Sequence, residues 1–233
     1  VFNSLHESIT LGLVPNLQDV KKGQMVATLK IIPFAIPDSL MEAVNEFSRT
    51  SSPLFDVIPY EKRSVILIQT YLTGMKKTIL DSTYDVTDHR LKELGAELVE
   101  ERRCTHDSGA LGEELRNALR KRPDILLIAG GSAIVDRRDV VPRAIELAGG
   151  EIRHFGMPVD PGNLMLLAAI NSIPIIGIPG CARSPKLNGF DWVLQRTVAN
   201  LPVSSKDVMS MGVGGLLKDI PRPLPRSRVS RLR

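Results

Sequence analysis

The stretch Asp124–Asp139, DILLIAGGSAIVDRRD, constrains the fold more than any other. Its apolar run, Ile125 to Ala129, reads as a buried strand. Gly130 and Gly131 follow at once, then small and polar residues, Arg137, Arg138 and Asp139, and a helix start at Val140–Pro142. A strand feeding a glycine turn and then a helix is how α/β folds build anion sites. Glycine lets the backbone approach a ligand, and the helix N-terminus offers unpaired N–H groups. An ordinary strand-to-helix turn has the same pattern, so the reading needs support from the rest of the chain.

That support begins at Ser64. Ser64–Tyr71, SVILIQTY, is an apolar strand, and Tyr84–Leu94 is amphipathic and ends at Gly95, a residue suited to helix termination. Ala96–Val99 reads as a second strand, and Asp107 or Ser108 can cap a helix running to about Lys121, with Leu111, Leu115, Ala118 and Leu119 as its buried stripe. After the Ile125–Ala129 strand, Val140–Ala148 is a helix and Ile152–Phe155 a short strand. Leu164–Ile170 and Ile173–Ile178 flank Asn171–Ser172 as a two-residue hairpin, although the first segment is also compatible with a helix. Phe190, Val193, Leu194, Thr197, Val198 and Leu201 recur at helical spacing. Alternating strands and helices imply a mostly parallel sheet covered on both faces, with ligands bound at the carboxyl ends of its strands. The polar loops Thr70–Gly74, Cys104–Asp107, Gly130–Asp139 and Pro179–Asn188 fall there.

Residues 1–60 differ. Gln24–Pro37 is rich in β formers and predicts one or two strands, and Asp38–Arg49 a helix capped by Asp38 or Ser39. Three parts are expected: a β-rich extension over 1–60, an α/β domain over 61–205 and a proline- and arginine-rich tail over 206–233. The start at Val1, without methionine, reads as the edge of a piece of a longer protein.

The net charge is +4, but Arg222, Arg226, Arg228, Arg231 and Arg233 all lie in the tail, which leaves the rest near neutral. Aromatic residues make up 4%, too few to interleave stacking rings with basic patches, so no nucleic-acid partner is expected. No run reaches the ~18 apolar residues of a membrane span. Cys104 and Cys181 form neither a disulfide framework nor a zinc pattern, which suits a reducing cytoplasm.

Asp107 and Asp139 each follow a strand and precede a helix, where carboxylates can hold Mg²⁺ or cap the helix. Pro179–Lys186, PGCARSPK, offers backbone amides, the Ser184 hydroxyl, Arg183 and Lys186, a set suited to phosphate or to a solvated basic loop. No histidine is assignable as a base for a Cys181 nucleophile. His106, beside Asp107, is the one histidine near these loops and reads as a surface residue. The phosphate-loop pattern G-x-x-x-x-G-K-[ST] and the dinucleotide pattern G-x-G-x-x-G are both absent.

From Val65 to Leu201 the chain resembles the molybdopterin-binding domain family of molybdenum cofactor biosynthesis. The resemblance is carried by ELGAEL, CTHD, DILLIAGGSA, RRDVVPRAIELAGGEI, the PG of VDPGNL and IIGIPG, in that order. It departs from the adenylyltransferase-type loop GGTGPARRD in being one residue longer and lacking the third glycine, and GCARSPK replaces the usual GNP. The resemblance implies a three-layer α/β/α sandwich that binds a pterin dithiolene bearing a terminal phosphate. It implies ligand contacts from Gly130, Gly131, Ser132, Pro179 and Gly180 and a catalytic, Mg²⁺-binding acidic pair in Asp107 and Asp139; Thr70, Pro161, Gly162, Cys181, Arg183, Ser184 and Lys186, on the neighbouring loops, complete the expected ligand-binding set. The implied chemistry is either adenylyl transfer from ATP to molybdopterin or molybdate insertion. The alternative is a non-catalytic pterin carrier or regulatory module. A homo-oligomer is expected, and GVGGLL at Gly212–Leu217 resembles a subgroup joined or partnered to a nucleotidyltransferase domain.

Overall fold

The structure, a computed structural model, describes residues 1–217. It divides into two compact units, Val1–Pro59 and a second that starts at Tyr60. The first unit holds strands β1 (Ile9–Leu13) and β2 (Ala27–Ile31), paired antiparallel, and helix α1 (Asp38–Thr50). Strand β1 had no counterpart in the sequence reading. The cap of α1 also differs from expectation: Pro37 holds the cap position, with no side chain bonded to the helix end. The proline ring fixes φ, here −61°, and with ψ at 145° the chain enters the helix from extended backbone.

The second unit is built on one six-stranded sheet of order β4-β3-β5-β8-β7-β6. Strands β3 (Ser64–Tyr71), β4 (Glu97–Thr105), β5 (Ile125–Ala129) and β8 (Ile173–Ile178) pair in parallel. Strands β6 (Glu151–Phe155) and β7 (Leu166–Ile170) join by antiparallel pairing, so β7 alone runs against the rest. The β7–β8 hairpin turns on Asn171 and Ser172, both at positive φ. That geometry matches the right-handed twist of the strands.

Alternation along the central strands decides which helix covers which face. Val65 and Leu67 of β3 and Ile125, Leu127 and Ala129 of β5 face one core, with Leu91, Phe190, Val193, Leu194, Val198, Val208 and Met211. Those partners come from α2 (Lys77–Glu93), α5 (Gly189–Val198), α6 (Ser205–Met209) and the short 3-10 helix Ser210–Gly212. Ile66, Ile68, Leu126 and Ile128 face the other core, against Leu111 and Leu115 of α3 (Ser108–Leu119) and Val141, Ala144 and Ile145 of α4 (Val140–Leu147). The expected three-layer arrangement is the one observed. Each fully buried aliphatic side chain is worth about 1.5–3 kcal/mol, and a strand buried on both faces collects that on every residue.

Two boundaries depart from the sequence reading. Strand β4 continues past Val99 through Glu100, Glu101, Arg102 and Arg103 to Thr105, because it is the sheet's edge and can carry charges outward. Arg102 pairs with Glu100 and Glu114, and Arg103 with Glu101 and Asp81. Residues 206–217, assigned to a tail, instead close the first core. Ser204 and Asp207 form a capping box, Val208 and Met211 are buried, and Leu217 N–H donates to Asp160 O at 2.9 Å. The remainder of the tail lies outside the described residues. Among the described residues, no helix is long and apolar enough to cross a membrane.

The amino ends of β3 and β5 are tied by Asp124. Its Oδ2 accepts from both the amide and the hydroxyl of Ser64 at 2.7 Å, and Arg63 Nη1 lies 3.5 Å from Oδ1. These donors, the Ser64 amide foremost, hold the Asp124 carboxyl below its ordinary value. Its stabilisation is therefore complete above that ordinary value and is lost as pH falls through the lower, folded one. Because the carboxylate is partly solvated, Asp124→Asn should cost only about 0.5–1 kcal/mol at pH 7. Urea midpoints should show that difference shrinking toward pH 2. A difference that grows on acidification would contradict the assignment.

Candidate functional site

The carboxyl ends of β3, β5 and β8 bring three of the expected loops together. Thr70, on β3, is completely buried, and its Oγ1 lies 2.7 Å from the Gly131 amide nitrogen and 2.7 Å from His106 Nδ1. Ser132 Oγ lies 2.8 Å from His106 Nε2. The loop after β5 is thus clasped to the ends of β3 and β4. Packing alone favours glycine there: a Cβ on Gly130 would sit 2.7 Å from Ser132 O and force a shift, and one on Gly131 would sit 3.1 Å from Thr70 O, tighter than ordinary contact.

The loop after β8 behaves differently at its first glycine. Pro179 is buried, Gly180 is exposed, and a Cβ on Gly180 would meet nothing within 4 Å. The fold does not need a glycine at that position, and its absent side chain leaves the backbone open to a ligand. Arg183 joins this loop to the other: its Nη2 donates to Gly130 O at 2.7 Å. Burial pushes the Arg183 guanidinium below its ordinary value, yet an arginine stays charged at neutral pH.

Arg90, on α2, holds the β8 loop from beneath. It is 8% exposed. Its Nε donates to Asp191 Oδ1 at 2.6 Å, its Nη1 to Ala182 O at 2.6 Å, and its Nη2 to Ser184 O and Lys186 O at 2.8 and 3.2 Å. It also lies 5.9 Å from the Phe190 ring centroid. Asp191 is shared with the start of α5, where Asn188 and Asp191 form a capping box. Asn188 Nδ2 reaches Cys181 Sγ at 3.2 Å. The Ser184 and Lys186 carbonyls thus turn inward to Arg90, and the Lys186 side chain is left at the exposed rim. The sequence reading missed Arg90. The available signal was spacing: it falls beside the buried stripe Leu80, Thr83, Thr87 and Leu91.

Pro161 and Gly162 are buried against the start of α5, not at the open mouth. Pro161 O accepts from Gly189 N at 2.8 Å, and a Cβ on Gly162 would sit 2.8 Å from that same nitrogen. Asp107 is the cap of α3, its Oδ1 accepting from the Gly109 and Ala110 amides at 2.9 and 3.0 Å. Asp139 Oδ2 accepts from the Val135 and Asp136 amides at 2.7 and 2.9 Å, which folds the ten-residue loop back on itself. Burial lowers the His106 imidazole from its ordinary value, while the Asp139 charge opposes that shift, so Asp139 lies within electrostatic reach of the residue preceding Asp107. Among the described residues, no group of three His, Cys, Asp or Glu side chains is placed to hold a metal ion. Each of the two carboxylates has an oxygen engaged by local backbone amides, a donor chemistry that would fit Mg²⁺ keeping waters and phosphate oxygens in its shell and not a metal caged by protein alone.

Two outcomes follow from this geometry. Arg90→Met should lower the unfolding free energy by about 3–5 kcal/mol, because it leaves the Asp191 carboxylate buried without its partner. Adding Asp191→Asn should recover part of that loss in urea titrations, and a loss under ~1 kcal/mol would mean that the loop does not depend on Arg90. The two thiols should also separate. Burial, with Glu114 and Asp107 nearby, pushes the Cys104 thiol up to about 11, whereas Cys181 is exposed. Iodoacetamide at pH 8 should label Cys181 alone in the native protein and Cys104 only after denaturation, as peptide mass spectrometry would show.

A family model described as "probable molybdopterin binding domain" matches residues 64–211. No curated protein matches the sequence. Among solved structures, the fold is similar to that of the molybdopterin biosynthesis moea protein from Pyrococcus horikosii, at 18% identity and a TM-score of 0.43. That similarity covers 69% of this chain and 40% of the other. Molybdenum cofactor biosynthesis protein B is similar at 16% identity and a TM-score of 0.39, over 59% of this chain and 88% of that one. A protein assigned to molybdenum cofactor biosynthesis from Corynebacterium diphtheriae is similar at 16% identity and a TM-score of 0.38, over 64% and 98%. The family assignment rests on the family model, which spans β3 through Met211 and includes every loop of the site: the chain belongs to the molybdopterin-binding domain family of molybdenum cofactor biosynthesis.

Proposed function

We propose that this domain binds molybdopterin across the carboxyl ends of β3, β5 and β8, with the terminal phosphate on the Gly180–Lys186 loop. The observation that carries the reading is the Arg183–Gly130 contact, which couples the glycine loop to the loop rich in donors. The Gly180 backbone is exposed, and Ser184 and Lys186 stand on a segment whose carbonyls are hydrogen-bonded by Arg90. Preformed donors of the right sign need little reorganisation when an anion arrives.

Within cofactor biosynthesis, adenylyl transfer from ATP and molybdate insertion both place negative charge near such donors. Asp107 and Asp139 would offer Mg²⁺ their remaining oxygens, and the ion would supply charge neutralisation at phosphate oxygens. The chain's own part is to orient the phosphate and exclude alternative poses. Assaying ATP consumption with molybdopterin and Mg²⁺ separates a transferase from a carrier: turnover supports the first, tight pterin binding without turnover the second.

The binding mode itself is tested by a double comparison. Arg183 also latches the two loops, so its removal perturbs the free protein as well as the ligand contact. Measuring wild type and Arg183→Ala against phosphorylated and dephosphorylated pterin cancels the perturbation that both ligands share. Arg183→Ala should weaken binding of the phosphorylated ligand by about 1.5–3 kcal/mol more than binding of the other. Equal losses would remove the phosphate from this loop.

A further inference from the structure

His106, which the sequence marks as an ordinary surface residue, stands between two hydroxyls. On one side is Thr70 Oγ1, with the Gly131 amide at the same distance from that oxygen. On the other side is Ser132 Oγ.

The direction of each hydrogen bond follows from what each group can do. A backbone amide only donates, so Thr70 Oγ1 accepts from Gly131 N–H. The Thr70 hydroxyl also carries a proton, and a group with no solvent exposure needs an acceptor for it. His106 Nδ1 is the acceptor in reach, 2.7 Å away. A neutral imidazole has one N–H, so with Nδ1 accepting, the proton sits on Nε2. Nε2–H then donates to Ser132 Oγ at 2.8 Å. The Ser132 hydroxyl proton is turned away from His106, and Ser132 is exposed at the mouth of the site.

We propose that Gly131, Thr70, His106 and Ser132 form a one-way hydrogen-bond chain that presents the Ser132 hydroxyl as a dedicated donor to an anionic oxygen of the ligand. The amide at its origin cannot reverse, so the direction of the whole chain is set by the fold. Each bond polarises the next, which strengthens the terminal donor. The arrangement differs in kind from a nucleophile–base pair: Nε2 carries a proton and cannot take one from Ser132. Thr70 and His106 are positioning residues that act through Ser132. That the acceptor is an oxygen of molybdopterin rests on the function proposed above, with the phosphate of the Gly180–Lys186 loop reaching Ser132 across the Arg183–Gly130 contact; the donor character of Ser132 does not rest on it.

The two parts have separate tests. Imidazole ¹⁵N spectra of the free protein at pH 8 should show His106 as the Nε2–H tautomer, in wild type and in Thr70→Ser. The Nδ1–H tautomer would overturn the chain whether or not any pterin binds. For the donor role, molybdopterin binding is measured for wild type, Ser132→Ala, Thr70→Val, Thr70→Ser and the Ser132→Ala/Thr70→Val pair. Ser132→Ala should weaken binding by about tenfold, the loss of one hydrogen bond to a charged acceptor. Thr70→Val, altering a side chain with no exposed surface, should weaken binding severalfold, and Thr70→Ser should restore it. In the Ser132→Ala background, Thr70→Val should have no further effect. Independent, multiplying losses would mean that Thr70 acts only on loop structure, and an unchanged Ser132→Ala would overturn the donor role. Wild-type protein that binds no pterin would defeat the proposed function, and the tautomer would still decide the chain.

Discussion

The central strands β3, β5 and β8 are apolar on both faces, and that is the constraint on which the rest of this domain depends. A sheet with no polar face cannot end at water. It must be covered twice, by α2, α5 and α6 on one side and α3 and α4 on the other. Parallel pairing then puts the carboxyl ends of β3, β4, β5 and β8 at the same end of the sheet. The loops after β3, β4, β5 and β8 gather there as a consequence. The site is where hydrophobic burial stops and backbone polar groups have to find other partners.

Those partners are side chains of a particular kind. Arg90 satisfies three carbonyls of the β8 loop and one carboxylate at the same time. Few side chains could do that from below, because the guanidinium carries five N–H donors in a rigid plane. Its energetic weight is asymmetric. The intact cluster offsets the desolvation of two charges, while a cluster missing its arginine leaves carbonyls and Asp191 stranded. Arg183 does a lighter version of the same task at the half-buried mouth, where it joins the loops after β5 and β8. The β8 loop is hydrogen-bonded from beneath and open above at Gly180.

The glycines divide along the same line. A Cβ on Gly130 would fall well inside van der Waals contact with backbone, and one on Gly131 would press on the Thr70 carbonyl, so the clasp between β3 and β5 disfavours side chains at both. Gly180 has open space there. From sequence all three read alike, as residues that let a ligand approach.

Much of the fold was legible in one dimension. The apolar runs Ser64–Tyr71 and Ile125–Ala129 marked the buried strands, and the stripe from Phe190 to Val198 marked its helix, because burial on two faces or one leaves a period in the side chains. The hairpin at Asn171–Ser172 was legible from a two-residue gap between strands. Where the period failed, so did the reading. Strand β4 carries charges as an edge, and residues 206–217 are too short and glycine-rich to display a pattern, although Val208 and Met211 fill the core. The loops of the site were legible as loops, since strand ends in a parallel sheet can be counted along the chain. Who meets whom inside them was decided by tertiary structure alone. Arg90 and Asp191 are 101 residues apart, and Thr70 and Gly131 are 61 apart. Hydrogen bonds across such separations depend on sheet order and helix placement, for which local periodicity carries no information. His106 could be read as a surface residue in the chain, and only the fold sets it between two hydroxyls.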